Sequence, residues 1–142
     1  MKNWLMRWHE LKRKHPKGVL YTISALLPMT IMLVVWYFMG SYPFGNKSLM
    51  AVDFGQQYIS FFGLLKNAVL SGDLSSLTYS FTKSLGGDMI GILGYYLMSP
   101  FNIIYIVLPF KYYGLAVVLT IWLRYGAIGI SFAHLLIKLS LI

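Results

Sequence analysis

The sequence contains no cysteine, so disulfides and thiolate metal sites are excluded. Charge is also scarce: 11% of the residues are charged, against roughly a quarter in average soluble domains. Acidic residues number only four in 142 positions, and the three histidines are too scattered to show metal-ligand spacing. Hydrophobic residues make up 58% of the chain. This balance excludes an ordinary soluble domain and indicates a membrane protein.

Basic charge is concentrated at the start of the chain. Residues 1–18 hold six of the twelve Lys and Arg, opposed only by Glu10. Trp4, Leu5 and Trp8 fall at helical spacing, which predicts a basic amphipathic segment lying on an anionic leaflet. A basic run can also bind nucleic acid. Directly before an apolar run, it favours a cytoplasmic anchor under the positive-inside rule, with no nucleic-acid partner.

Three apolar runs are long enough to cross a bilayer, which takes about 20 residues. Residues 19–39 and 89–109 carry no charge, and residues 114–137 are interrupted by Arg124 and His134. The basic stretch 110–113 predicts a cytoplasmic turn between the last two runs. We therefore predict an all-α, multi-pass protein of the cell membrane with three transmembrane helices and a cytoplasmic N-terminus.

The large first extracytoplasmic loop, residues 40–88, contains three of the four acidic residues. Between residues 54 and 70, apolar side chains recur with helical periodicity beside a polar side, which predicts an amphipathic interfacial helix. The apolar side comprises Phe54, Tyr58, Phe61, Phe62, Leu65 and Val69, and the polar side Gln56, Gln57, Ser60, Lys66 and Asn67. Asp73 and Asp88 are predicted to be turn or cap residues.

Two charged residues stand out. Asp53 precedes the predicted interfacial helix, where it can cap the helix, act as a general base, or do both. Arg124 lies within a span, where a charge costs about 2.5–3.5 kcal/mol unless it is paired or hydrated. It can meet a lipid-linked phosphate or a partner across the bundle. Three spans with such an arginine predict that further transmembrane segments or subunits complete the bundle.

Four stretches, read together, resemble the YfhO family of bacterial multi-pass membrane proteins, assigned to the glycosyltransferase C-type superfamily. They are Tyr42-Pro43-Phe44-Gly45, Asp53 with Gln57-Tyr58 after it, residues 79–87 and residues 95–102. The resemblance covers roughly residues 20–137, which would be only the N-terminal portion of a family member. It implies a first span, a large outer loop with amphipathic juxtamembrane helices, and an acidic residue early in that loop, the position that Asp53 matches.

The resemblance implies transfer of a sugar from a polyprenyl-phosphate carrier to a cell-envelope glycopolymer such as teichoic acid. Such a transfer needs a general base near the attacking hydroxyl and positive charge on the departing phosphate. Asp53 is then the expected catalytic residue and a candidate metal ligand, with a divalent cation left open as cofactor. The expected substrate-binding residues are Arg124, Lys83, Gln57, Tyr58 and Asn102. For Asn102 the alternative is an interhelical hydrogen-bonding residue.

Other functions remain open on the sequence. The chain can be a non-catalytic membrane partner, either a scaffold or a flippase or transporter subunit. The two hypotheses differ in what Asp53 does, since only a transferase needs its carboxylate. The 142-residue chain alone is expected to be incomplete and inactive as an enzyme.

Overall fold

A computed structural model describes residues 16–51, 54–81 and 86–139 of the chain. Nearly all of the predicted amphipathic segment over residues 1–18 lies outside the described residues, as do Asp53 and Lys83. The described residues divide into two compact units. The helix-pair unit consists of residues 16–38 and 122–139, and the loop unit consists of residues 39–121.

The described chain is mostly helical and contains two short strands. In chain order the elements are α1 (Pro16–Met39), α2 (Ile59–Ser71), β1 (Tyr79–Ser80), β2 (Gly87–Asp88), α3 (Ile90–Ile92), α4 (Ile103–Val107) and α5 (Tyr113–Lys138). Single turns of π-helix lie at Phe54–Tyr58 and Leu93–Leu97, and 3-10 turns at Ser75–Leu77, Pro100–Asn102 and Phe110–Tyr112. Lys17–Met39 and Phe110–Lys138 are long and apolar enough to cross a membrane. The fold is that of an all-α membrane protein, as the composition predicts.

In the helix-pair unit, α1 and the C-terminal half of α5 run antiparallel. Near the start of α1, the Tyr21 hydroxyl is hydrogen-bonded to His134 Nδ1, near the end of α5, at 2.8 Å. Further along α1, the Met29 carbonyl accepts a hydrogen bond from Trp122 Nε1 at 3.1 Å. As residue numbers increase along α1, the numbers of their partners on α5 decrease, as expected for antiparallel helices.

Small residues allow the two helices to approach closely. A Cβ atom added at Gly129 would overlap the carbonyl oxygen of Ser24, and one added at Gly126 would lie 2.6 Å from Met29 Sδ. In lipid the hydrophobic effect does not hold helices together, so close packing of small residues carries much of the association. Gly126 and Gly129 are two small residues of this interface.

The loop unit begins with a tight turn. Tyr42 N donates to the Lys47 carbonyl at 2.9 Å, and Lys47 N donates to the Gly40 carbonyl at 3.1 Å. Gly40 has a φ of 65°, in the left-handed region that glycine adopts most readily. The turn residues predicted between Ser41 and Lys47 thus reverse the chain directly after α1.

The predicted interfacial helix over residues 54–70 is a π-helical turn followed by α2. Gly72 ends α2 with a φ of 75°. The apolar side of α2 packs against the chain itself, since Phe62 stacks on Tyr105 with ring centroids 3.9 Å apart. The buried core of the loop unit consists of Phe62, Leu65, Ala68, Leu77, Leu97, Tyr105, Tyr113, Ala116 and Val117.

The predicted second span, residues 89–109, is not one helix. Ile90–Leu97 and Pro100–Val107 form a pair bent by 88°. Ser99 is extended with a ψ of 130°, as expected for a residue before proline, and Pro100 has no N–H to continue the helix. Within the described residues, length and composition allow two spans, or three if this bent pair counts as one.

Candidate functional site

Three predicted site residues, Asp53, Gln57 and Tyr58, lie close together in the sequence. Asp53 directly precedes Phe54 but lies outside the described residues. Gln57 is exposed. Tyr58 is half-buried, with its ring stacked on Phe54 at 5.2 Å and edge-on to Tyr96 at 4.4 Å. The turn after Asp53 is therefore anchored by aromatic contacts, while Gln57 remains accessible.

Asn102 is almost fully buried, at 1% exposure. Its Nδ2 donates to the carbonyls of Tyr96 at 2.8 Å and Leu97 at 3.1 Å. These carbonyls precede the bend, so the amide satisfies backbone groups that the broken helix leaves without a helical partner. Tyr58 and Asn102 thus both contact Tyr96. The Tyr58 ring packs on the Tyr96 ring, and the Asn102 amide donates to the Tyr96 carbonyl. The sequence alternative of a hydrogen-bonding structural residue accounts for these two contacts.

Lys83 also lies outside the described residues, but the strands on either side of it are described. Tyr79 pairs with Asp88 and Ser80 with Gly87 in an antiparallel register. The stretch of residues 79–87 that carries part of the family resemblance therefore begins and ends in a pair of short antiparallel strands.

Arg124 lies in the helix-pair unit, whereas Gln57, Tyr58 and Asn102 lie in the loop unit. It occupies the interior of α5 and is half-buried. Among the predicted site residues that the structure describes, Tyr58 and Asn102 are thus linked through Tyr96. Arg124 belongs to the other unit.

A groove of about 460 Å³ crosses the loop unit. Four polar side chains line it, together with apolar and aromatic ones. The lining residues are Ser60, Phe61, Gly63, Leu64, Asn67, Ser76, Ser80, Met89 and Phe110. Every one of these lining side chains is uncharged, and both hydroxyl and amide groups are present. Such a surface suits a neutral, hydroxyl-rich ligand better than an isolated phosphate.

One cation lies behind the groove. Lys66 is 9% exposed, and its ammonium donates to the Leu108 carbonyl and lies 5.3 Å from the centre of the Phe110 ring. Because Phe110 lines the groove, Lys66 fixes part of its wall. The sequence prediction placed Lys66 on the polar side of the helix, whereas the structure buries it against the end of the bent pair.

The sequence contained a signal for the groove that the prediction did not use. Ser60, Gly63, Leu64 and Asn67 follow the spacing i, i+3, i+4 and i+7, which puts them on one helix face. Of these four, only Ser60 and Asn67 were assigned to the polar side of the predicted interfacial helix. Only the packing of Phe110 and Ser80 opposite this face makes it a groove.

The two described carboxylates of the loop act locally. Asp73 Oδ1 accepts hydrogen bonds from the Ser75 hydroxyl and from Ser75 N at 3.0 Å. These bonds, the hydroxyl first, hold the pKa of Asp73 below its usual value. Asp88 Oδ1 accepts from Ile90 N at 3.0 Å, at the start of α3. Both contacts fit the turn and cap roles predicted for these residues.

A divalent cation was left open by the sequence, with Asp53 as its candidate ligand. Over residues 16–51, 54–81 and 86–139, no three His, Asp or Glu side chains cluster closely enough to hold a metal ion. The described residues therefore supply no cluster of further ligands for a metal ion at Asp53.

The family assignment follows from a comparison with family models. A model described as bacterial membrane protein YfhO matches residues 24–142, most of the chain. The chain belongs to the YfhO family. No match is found among curated proteins or among solved structures. The match confirms the resemblance seen in the sequence, and it extends over both units of this YfhO-family chain.

Proposed function

We propose that this chain acts in an integral-membrane glycosyltransferase, which moves a sugar from a polyprenyl-phosphate carrier to a cell-envelope glycan such as teichoic acid. The observation that carries the proposal is the groove in the loop unit of a YfhO-family protein. Its hydroxyl and amide groups match the hydrogen-bonding needs of a sugar, and Phe61 and Phe110 offer aromatic surface for the apolar face of the ring.

In the proposed reaction, a hydroxyl of the acceptor attacks the anomeric carbon of the carrier-bound sugar. The new glycosidic C–O bond forms as the bond between that carbon and the phosphate oxygen breaks. The carboxylate of Asp53 accepts the hydroxyl proton, and polyprenyl phosphate leaves with the bonding electron pair. Positive charge stabilises the departing phosphate, and Lys83 in the same loop as Asp53 is the candidate to supply it.

The remaining predicted residues have supporting roles in this proposal. Gln57 is exposed on the turn that follows Asp53, so its amide can bind sugar hydroxyls. Tyr58 and Asn102 hold that turn and the bent pair through Tyr96. A divalent cation held by Asp53 would supply further positive charge to the phosphate when bound.

The central test is Asp53→Asn, which keeps the shape of the side chain but removes the base. We expect loss of envelope glycosylation by at least about a hundredfold, the usual contribution of general-base catalysis. The glycan is analysed by mass spectrometry of purified polymer from cells that express the variant. The matched control is Asp73→Asn in the same loop, where the exposed carboxylate only binds Ser75. Unchanged glycosylation by Asp53→Asn, with normal membrane insertion, contradicts the proposed enzymatic role.

That contrary result would favour the non-catalytic alternative, a scaffold or a flippase or transporter subunit. In that case Arg124→Leu, rather than Asp53→Asn, should alter function, because a charge within α5 would serve assembly. Co-purification of partner proteins with the two variants separates the hypotheses.

The groove has its own test. Asn67→Ala removes one amide from the rim, and a lost neutral hydrogen bond is worth about 0.5–1.5 kcal/mol. We expect KM to rise about 2- to 12-fold, which is the change in affinity that corresponds to this loss of free energy. Ser71→Ala, on the same helix but outside the groove, is the control. Equal effects of the two variants would argue against sugar binding in the groove.

A further inference from the structure

The direction of α1 and α5 restricts how the chain can cross a membrane. The pairs Tyr21–His134 and Met29–Trp122 make these helices antiparallel within the helix-pair unit. Two antiparallel spans can be joined only by a segment that begins and ends at the same membrane face. Such a segment crosses the bilayer an even number of times, so a single crossing by the bent pair does not fit.

Contacts inside the loop unit lead to the same conclusion independently. Residues that follow α1 and residues that begin α5 line one cavity of about 390 Å³. Its lining comprises Tyr42, Gly45, Asn46, Ser48, Leu49 and Met50 on one side and Lys111, Tyr112, Gly114 and Leu115 on the other. A Cβ atom at Gly114 would lie 3.9 Å from Met50 Cε. The entry to the loop unit and its exit are therefore neighbours.

The two ends of the predicted second span border the same groove. Met89 and Phe110 line the same groove, and Phe110 approaches α2 closely, since a Cβ at Gly63 would lie 3.2 Å from its ring. A straight helix over residues 89–109 would separate its ends by about 30 Å. Instead, Ile90–Leu97 and Pro100–Val107 are bent by 88°. Two eight-residue arms of about 12 Å at a right angle reach roughly 17 Å, little more than half a hydrocarbon core.

The outer side of the bent pair is apolar and exposed. Tyr95 is 80% exposed, Met98 69% and Val107 73%, and Ile90 and Ile103 are also exposed. Its inner side packs on α2, and Asn102 satisfies the carbonyls freed at the bend. Broken helices are tolerated at membrane depth when their backbone groups are satisfied in this way. The bent pair is apolar enough to count as a broken span or a re-entrant loop, so lipid fits as the partner of this exposed surface.

We propose that the chain crosses the bilayer twice, through α1 and α5, and that the bent pair 90–107 lies in a single leaflet with its exposed apolar side chains against lipid. Residues 40–112 then lie at one membrane face, and the start of α1 and the end of α5 lie at the other. The inference does not depend on the proposed sugar transfer, because it rests on helix direction and contacts alone.

The absence of cysteine permits a direct test, since each single-cysteine variant carries one label. Asn46→Cys and Tyr112→Cys report the entry and exit of the loop unit. Gly18→Cys and Leu139→Cys report the other ends of α1 and α5. All four positions are exposed, and none of the substitutions changes a charge that directs topology. Intact and permeabilised cells are treated with a membrane-impermeant maleimide.

We expect positions 46 and 112 to react from one side of the membrane and positions 18 and 139 from the other. Three spans would instead place 46 and 112 on opposite sides and 139 on the same side as 46, which would overturn the proposal. This pattern is independent of whether the protein transfers sugar, so the two proposals fail separately.

A second measurement tests the leaflet position. Met98→Cys and Ile103→Cys are labelled with a fluorophore in liposomes that contain lipids with nitroxide quenchers at shallow or deep acyl positions. We expect stronger quenching by the shallow nitroxide at both positions. Stronger quenching by the deep nitroxide would indicate a crossing, and no quenching by either would indicate that protein covers this surface. The first result contradicts the single-leaflet position, and the second contradicts the lipid contact.

Discussion

The helix-pair unit and the loop unit are stabilised in different ways. In the helix-pair unit, α1 and α5 meet through glycines and a few polar contacts, such as Trp122 to the Met29 carbonyl. Many of its large apolar side chains are exposed, including Leu27 at 60% and Ile128 at 63%. The loop unit instead has a buried core of aromatic and aliphatic side chains.

The difference reflects the surroundings for which each unit is built. Long helices satisfy their own backbone in lipid, so they need only close contact with each other. Short helices and turns depend on burial of apolar side chains and on side chains that satisfy the backbone. If this comparison holds, truncating a large side chain should destabilise the loop unit, while enlarging a small one should disrupt the helix pair.

The largest effect is expected for Phe62→Ala in the loop unit. Phe62 is 4% exposed and stacks on Tyr105, and truncating a buried phenylalanine typically costs about 3–5 kcal/mol. Trypsin cleavage after Lys66, which is buried in the folded unit, measures the opening of α2. Phe81→Ala, at a position that is 81% exposed, is the matched control. Equal cleavage of both variants would show that the core does not protect this unit.

A smaller effect is expected for Gly129→Ala in the helix pair. The added methyl group would overlap the Ser24 carbonyl oxygen, and overpacking of this kind costs about 1–3 kcal/mol. Cysteines introduced at Tyr21 and His134, which are hydrogen-bonded across the pair, permit cross-linking by a short bis-maleimide. We expect Gly129→Ala to reduce the cross-linked fraction.

Gly114→Ala is the control for this prediction, because the same change on the same helix meets only Met50 Cε, at 3.9 Å. It should leave cross-linking unchanged. A loss of cross-linking in both variants would mean that α5 tolerates no methyl group at either glycine, and that Gly129 has no special part in the pair.

Lys66→Met should destabilise the loop unit by about 1–3 kcal/mol, because the Leu108 carbonyl loses its buried donor while the length of the side chain is kept. Lys47→Met, at an exposed position, is the control. Thermal unfolding followed by near-ultraviolet circular dichroism provides the measurement. An increase in stability would contradict the prediction. It would mean that burying the ammonium costs more free energy than its hydrogen bond contributes.

The smallest effect concerns the pKa of Asp73. The Ser75 hydroxyl and N–H lower this pKa, so the carboxylate contributes stability above its unfolded pKa and loses it as pH falls through the folded value. Ser75→Ala should raise the pKa towards the usual value of about 3.9. Ser76→Ala, whose hydroxyl binds only the Asp73 backbone carbonyl, should leave it unchanged. NMR titration of the Asp73 carboxyl carbon measures both.

Much of the architecture followed from local sequence. The helices of residues 16–39 and 113–138 coincide closely with uncharged or nearly uncharged runs, because a long apolar helix needs no partner to satisfy its backbone. The turn after α1, the end of α2 at Gly72 and the binding of Ser75 by Asp73 followed from residue types with strong local preferences.

The candidate site was less predictable. Asn102 was recognised as a hydrogen-bonding residue, but its partners Tyr96 and Leu97 became evident only from the bend. Lys66 looks like a surface lysine in the sequence, and only the position of Leu108 explains its burial. The groove likewise requires Ser80, Met89 and Phe110, which are distant in sequence from Asn67.

The sequence by itself determined that this is a helical membrane protein with long apolar helices near residues 19–39 and 114–137, because composition and periodicity act over a few neighbouring residues. It also predicted a third span over residues 89–109. Tertiary structure decided that α1 and α5 are antiparallel, that residues 89–109 are bent, and that α2 closes a groove rather than only lying on lipid. These features depend on contacts between residues far apart in the chain, which no local pattern specifies.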